Sequence, residues 1–188
     1  MGTAARAVDW QTAMQVNDPI VAFYAGDSPD AVGRSLAEIL AWDDERLEQV
    51  HDFIQWLFPL SQASGVNPLA PLVTRTTVEA FAGDPVLRGR LLASFDRMLR
   101  FYGLERYTGD NGLAVRPAAT YDARKHAWQT PGNHNHLRIT RILTSLGLLG
   151  LGQEAEAFGA CLARLFEREG TSAISERSFQ FWMNAVGR

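Results

Sequence analysis

The chain has 188 residues, of which 46% are apolar and 21% charged, a balance that excludes wholesale disorder and fits one domain around one core. A net charge of −3 with no basic block argues against a domain whose main task is gripping nucleic acid. The lone cysteine, Cys161, excludes an internal disulfide framework and a cysteine-based zinc cluster.

Residues 1–19 carry scattered apolar positions and the turn signal Asn17-Asp18-Pro19, and they are expected to be a partly ordered lead-in to a domain over 20–188. Ser28-Pro29-Asp30 offers a helix start. Asp43-Asp44-Glu45 places negative charge where the first amides of a helix carry partial positive charge. That helix is predicted to run to about Phe58, where Pro59 disfavours further helical turns, with Leu47, Val50, Ile54 and Leu57 facing the core. Gly65, Pro68 and Pro71 mark 61–74 as a surface loop, followed by a short helix from Thr76 to Phe81.

Asp84-Pro85 pairs a capping side chain with proline at the first helical position. The helix it opens is striped by Leu91, Leu92, Phe95, Met98, Leu99 and Tyr102 and closed by Gly103. Residues 104–120 fit either a loop or a short hairpin turning at Tyr107–Gly112. Asn133 or Asn135 can cap a helix with Ile139, Ile142, Leu143, Leu146 and Leu149 on its core face. A turn at 148–152 leads to a helix holding Phe158, Cys161, Leu162, Leu165 and Phe166, and Ser172 or Ser175 opens the last one. The expected fold is all-α, a single compact bundle of six or seven helices.

Two stretches stand out, His51-Asp-Phe-Ile-Gln-Trp-Leu-Phe-Pro-Leu60 and His134-Asn-His-Leu-Arg-Ile-Thr-Arg-Ile-Leu143. On the first predicted helix, His51 and Gln55 border the apolar arc, while Trp56 falls roughly 130° from its centre at about 100° per residue. Trp56 either covers a second layer, such as the lead-in, or forms the aromatic wall of a groove. On the second, His134, Arg138, Arg141 and Ser145 form one stripe. The arginines either pair with Glu48, Asp52 or a carboxylate of the last helix to fix the packing, or face a groove and bind a carboxylate or phosphate. His134 and Asn135 sit near the helix start, where free amides favour an anion.

His134 and His136, with His51 and Asp52, are the only candidate metal ligands, and their spacing matches no zinc signature. No nucleophile elbow, phosphate loop or dinucleotide fingerprint appears, so no cofactor and no catalysis are expected. Met1 to Trp10 lacks a secretory signal. The most apolar run, 139–151, contains Arg141 and is shorter than the roughly 20 residues a bilayer needs, so a cytoplasmic protein without a membrane span is expected. Lys125 is the sole lysine, a bias suggesting a bacterial, GC-rich coding sequence.

The stretch 54–60, Met98-Leu99 with Phe101-Tyr102-Gly103, and Leu137–Leu143 with Ser145-Leu146-Gly147 occur in the order in which they resemble the conserved domain of opioid growth factor receptors. The similarity extends from about Ile20 to near the C-terminus. The resemblance implies a non-enzymatic receptor domain; vertebrate members bind an enkephalin pentapeptide, associate with the nucleus and carry a long extension with repeats. His136 stands where asparagine is expected in those members. Together these readings predict a peptide or protein ligand in a groove formed by His51, Gln55, Trp56, His134, Asn135, Arg138 and Arg141. A metal-dependent or small-molecule enzyme built on the histidine-rich helix start, and a self-associating helical scaffold, are the alternatives.

Overall fold

A computed structural model describes residues 18–65, 67–110 and 112–186; the lead-in predicted for 1–19 lies, up to Asn17, outside them. The first helix, α1 (Pro19–Ala25), starts on Asp18, whose carboxylate accepts from the amides of Ile20 and Val21. The same carboxylate accepts from Thr77 Oγ1 at 2.6 Å, tying α1 to α5 (Arg75–Gly83). Between them lie three short helices, α2 (Leu36–Leu40), α3 (Asp44–Gln49) and α4 (Ile54–Leu57). Ser28–Asp30 does not open a helix. Instead the buried Asp30 accepts from the Val32 and Arg34 amides and from Arg34 Nε, and Ser35 caps α2 in a capping box with Glu38.

The long helix α6 (Pro85–Tyr102) begins and ends where Asp84-Pro85 and Gly103 predict. A hairpin follows, β1 (Leu104–Gly109) antiparallel to β2 (Gly112–Pro117), in a register pairing Leu104 with Pro117 and Arg106 with Val115. Then come α7 (Tyr121–Arg124), a 3-10 turn (Lys125–Ala127), α8 (Asn135–Leu148), α9 (Gly152–Glu169) and α10 (Glu176–Ala185). β1 packs on α6 and β2 on α9, while α8 packs against both α9 and α10. One continuous apolar core joins these elements, from Ile20 and Phe23 through Phe95, Leu143 and Phe158 to Trp182.

The all-α expectation is therefore corrected twice. The hairpin adds a small sheet, and ten α-helices rather than six or seven occur among the described residues. The hairpin buries only Leu104 and Val115 fully. It is held instead by polar clips: Arg106 donates twice to Asp96 of α6, at 3.0 and 2.9 Å, and Arg164 of α9 donates to the Val115 carbonyl. One extra helix arises because the predicted helix 43–58 is broken at Val50–Phe53, with Val50 extended (ψ 131°), and Pro19–Ala25 and Tyr121–Arg124 add two more. No glycine or proline lies within the break. At the break the carbonyls of Leu47 and Val50 accept from the guanidinium of Arg138.

Candidate functional site

The stripe at the start of α8 and along it is met, residue by residue, by the last turn of α3 and the segment that follows it. His134 Nε2 lies 3.3 Å from Glu48 Oε1. Arg138 Nη1 donates to the Leu47 carbonyl (2.9 Å) and Nη2 to the Val50 carbonyl (2.9 Å) and to His51 Nδ1 (3.2 Å). Arg141 Nη1 donates to the Phe58 carbonyl (3.1 Å), and Ser145 Oγ to the Pro59 carbonyl (2.9 Å). The two motifs thus run side by side in parallel order. A cation at the C-terminal end of α3 also opposes the partial negative charge of its free carbonyls.

Beside this seam opens a cleft of about 530 Å³, within the range of small-ligand sites. One wall is α8, presenting Leu137, Arg138, Thr140, Arg141 and Thr144; the other combines His51, Ile54, Gln55 and Leu60 with Ala63–Gly65 of the following loop. Leu137 is 71% exposed, an apolar side chain left uncovered at the mouth. His51 and His134 meet edge to face there, ring centroids 5.1 Å apart. Because Arg138 donates to His51 Nδ1, the His51 ring proton sits on Nε2.

The charges in the cleft are unequally committed. Arg138 is 5% exposed, saturated by carbonyls and by Asn135 Oδ1, and 3.8 Å from Glu48. Burial lowers its pKa, against the opposing pull of Tyr102 and Glu48. Arg141 is half-buried and its pKa is lowered by burial alone, for no carboxylate among the described residues reaches it. Burial also holds His134 below the usual imidazole range; Glu48 pulls the other way, and Arg138 and His51 push further down. Gln55 is 4% exposed, and its Oε1 has no hydrogen-bond partner among the described residues.

Five of the seven candidate residues (His51, Gln55, His134, Arg138 and Arg141) line the cleft. Trp56 does not. It is 6% exposed, packs edge-on against Phe23 of α1 at 5.3 Å, and borders a separate small hollow with Val32, Arg34 and Leu69. Asn135 lies behind the cleft wall, fully buried, donating to Glu48 Oε2 and accepting from Arg138. Sequence reasoning missed Leu137, Thr140 and Thr144, although their spacing with Arg141 puts them on one helix face. It also missed the 60–65 wall, which has no periodicity to betray it.

His136, at the start of α8, is held by internal partners. His136 Nε2 donates to the Trp128 carbonyl and Nδ1 accepts from Ser178, each at 2.9 Å, while Trp182 donates to the His136 carbonyl. Burial lowers the His136 pKa. Asp52 is paired with Arg34 at 2.8 Å. Among the described residues no group of three His, Cys, Asp or Glu side chains is placed to hold a metal ion. Burial pushes the Cys161 thiol up to about 11, away from nucleophilic use at neutral pH. Among the described residues no helix is long and apolar enough to cross a membrane.

Residues 21–187 match the conserved region of the opioid growth factor receptor. Similar relatives include the opioid growth factor receptors of Mus musculus, 42% identical over 130 residues (68% of this chain, 19% of the relative), and Homo sapiens, 41% identical over 133 residues (68% and 18%). The opioid growth factor receptor-like protein 1 of Xenopus tropicalis is 38% identical over 144 residues, 75% of this chain and 26% of the relative. The chain thus spans about a fifth to a quarter of the length of these relatives. They are vertebrate proteins and lend nothing to the bacterial origin suggested by the arginine bias. No solved structure matches the chain. With nearly all of its described residues inside the matched region, this chain belongs to the opioid growth factor receptor conserved-region family.

Proposed function

We propose that the domain is a non-enzymatic binding module that takes a peptide or protein segment into the cleft between α8 and the 51–65 wall. The observation that carries this reading is the cleft itself: it is lined by both motif stretches, has an uncovered Leu137 at its mouth, and holds polar groups that are not all paired. Apolar positions Ile54, Leu60 and Leu137 would supply buried area, and the few polar groups would fix orientation. The relatives' name, a receptor for an opioid growth factor, supports a ligand of peptide size. The buried thiol and the histidines committed to carbonyls and carboxylates favour binding over catalysis.

The test is fluorescence anisotropy with a labelled enkephalin pentapeptide, alongside capture of a random peptide pool on the immobilised protein. Native protein is compared with Thr144→Trp, which fills the cleft from the exposed edge of α8. Binding about tenfold weaker, with circular dichroism unchanged, is expected. Equal binding by a folded Thr144→Trp protein would remove the cleft as the site.

A further inference from the structure

We infer that the cleft receives the free carboxylate end of a peptide, with Arg141 binding the terminal carboxylate and Gln55 accepting a hydrogen bond from the last peptide N–H. This rests on the peptide-binding reading above and specifies the chemistry of its ligand. Two independent observations lead to it. Arg141 is a half-buried guanidinium on the cleft wall with one hydrogen bond, to the Phe58 carbonyl at 3.1 Å, and no carboxylate reaches it among the described residues. A buried cation without a counter-charge is costly, and a bound anion removes that cost. Gln55, 4% exposed on the facing wall, has a buried amide oxygen that is equally unpaired. Its burial is unfavourable until a donor arrives.

The two groups line the same cleft from facing walls. Gln55 sits on α4 one turn before Phe58, the residue whose carbonyl holds Arg141. The last torsion of a glutamine is broad, so rotation of the amide on ligand binding would bring the oxygen to the cleft. An acceptor and a cation set close together ask for an anion and an N–H close together. The last residue of a peptide carries both on one Cα. Bidentate pairing of a guanidinium with a carboxylate also matches one positive charge with one negative charge, whereas a phosphate would bring about two. Arg138 does not share the task, since carbonyls occupy it fully. Ile54, Leu60 and Leu137 are left to receive the preceding side chains.

The experiment uses two pools of short N-acetylated peptides of equal composition, one ending in a free carboxylate and one amidated. Each is captured on the immobilised chain and identified by mass spectrometry. The acid pool is expected to be retained about tenfold better. Arg141→Gln should abolish that preference and Arg141→Lys should keep part of it. Gln55→Leu should weaken retention of the acid pool while raising the thermal midpoint, a split that misfolding does not produce. Equal retention of the two pools overturns the carboxylate anchor and leaves the peptide reading in place. So does capture of amidated peptides enriched in Asp or Glu. A preference that survives Arg141→Gln removes Arg141 from the role. Retention of neither pool overturns the peptide reading together with the anchor.

Discussion

Replacing Arg138 and Arg141 in turn by methionine separates a structural cation from one held in reserve. Arg138 makes two 2.9 Å bonds to the Leu47 and Val50 carbonyls and a third, at 3.1 Å, to Asn135 Oδ1. Each hydrogen bond involving a charged group contributes about 1.5–3 kcal/mol. The two stronger ones then contribute about 3–6 kcal/mol, offset in part because methionine need not be stripped of a charge's hydration. A net loss of about 2–4 kcal/mol is expected for Arg138→Met, or roughly 4–16 °C in Tm for a chain of this size. Arg141→Met loses one 3.1 Å bond and relieves a half-buried charge, so its net effect should lie within about 1 kcal/mol of zero. Urea unfolding followed by far-ultraviolet circular dichroism measures both, provided the m-value is unchanged. If Arg138→Met fell within about 1 kcal/mol of the native protein, or Arg141→Met matched its loss, the assignment of the two roles would be wrong.

Gln55→Leu removes the unpaired buried oxygen at nearly constant volume, and should stabilise the chain by about 1–3 kcal/mol; a destabilised variant by urea titration would mean that the amide has a partner after all. Burial lowers the pKa of both His134 and His136 in the folded state, so the unfolded chain binds more protons below the ordinary value of about 6.5. Their stabilising contribution is therefore complete above that pH and is lost as pH falls through the folded values, at no more than about 1.4 kcal/mol per pH unit for each ring. A urea midpoint that stays flat between about pH 7.5 and 5.5 would contradict this. Gly103 has φ +75°, and a Cβ there would lie 2.7 Å from the Tyr121 backbone. Gly103→Ala should cost at least about 2 kcal/mol, and a native-like thermal midpoint would show that α7 can move aside.

Helix starts that depend on local chemistry were legible from residues alone. Asp84-Pro85, Gly103 and Ser175 open or close helices where their side chains and backbone freedom predict. The stripe His134, Arg138, Arg141 and Ser145 was legible too, and so was Glu48, which lies 3.3 Å from His134 and 3.8 Å from Arg138. The other recipients were not, for they are carbonyls of Leu47, Val50, Phe58 and Pro59, and every residue carries a carbonyl. The break at Val50–Phe53 left no mark either: it holds no glycine or proline, and the arginine that takes the Val50 carbonyl lies 88 positions away. Trp56 shows the reverse case. Its position off the apolar arc admitted a groove wall or a second layer; it packs on Phe23 of α1 and lies outside the cleft that the other candidates line. The hairpin, with two buried apolar residues and salt-bridge clips, lacks the alternation that announces a half-buried strand.

The seam between α8 and the 47–59 segment is asymmetric: apart from Glu48 and His51, the 47–59 bank meets the side chains of α8 with peptide groups. Peptide groups survive almost any replacement of the residue that bears them, proline aside. Leu47, Val50 and Phe58 can therefore change identity, within the limits set by core packing, without loosening this grip. Arg138 and Ser145 have no such latitude. Most of the information about how the two halves join is therefore written on one helix, while His51 and Gln55, which line the cleft, sit between the gripped carbonyls of the opposite bank.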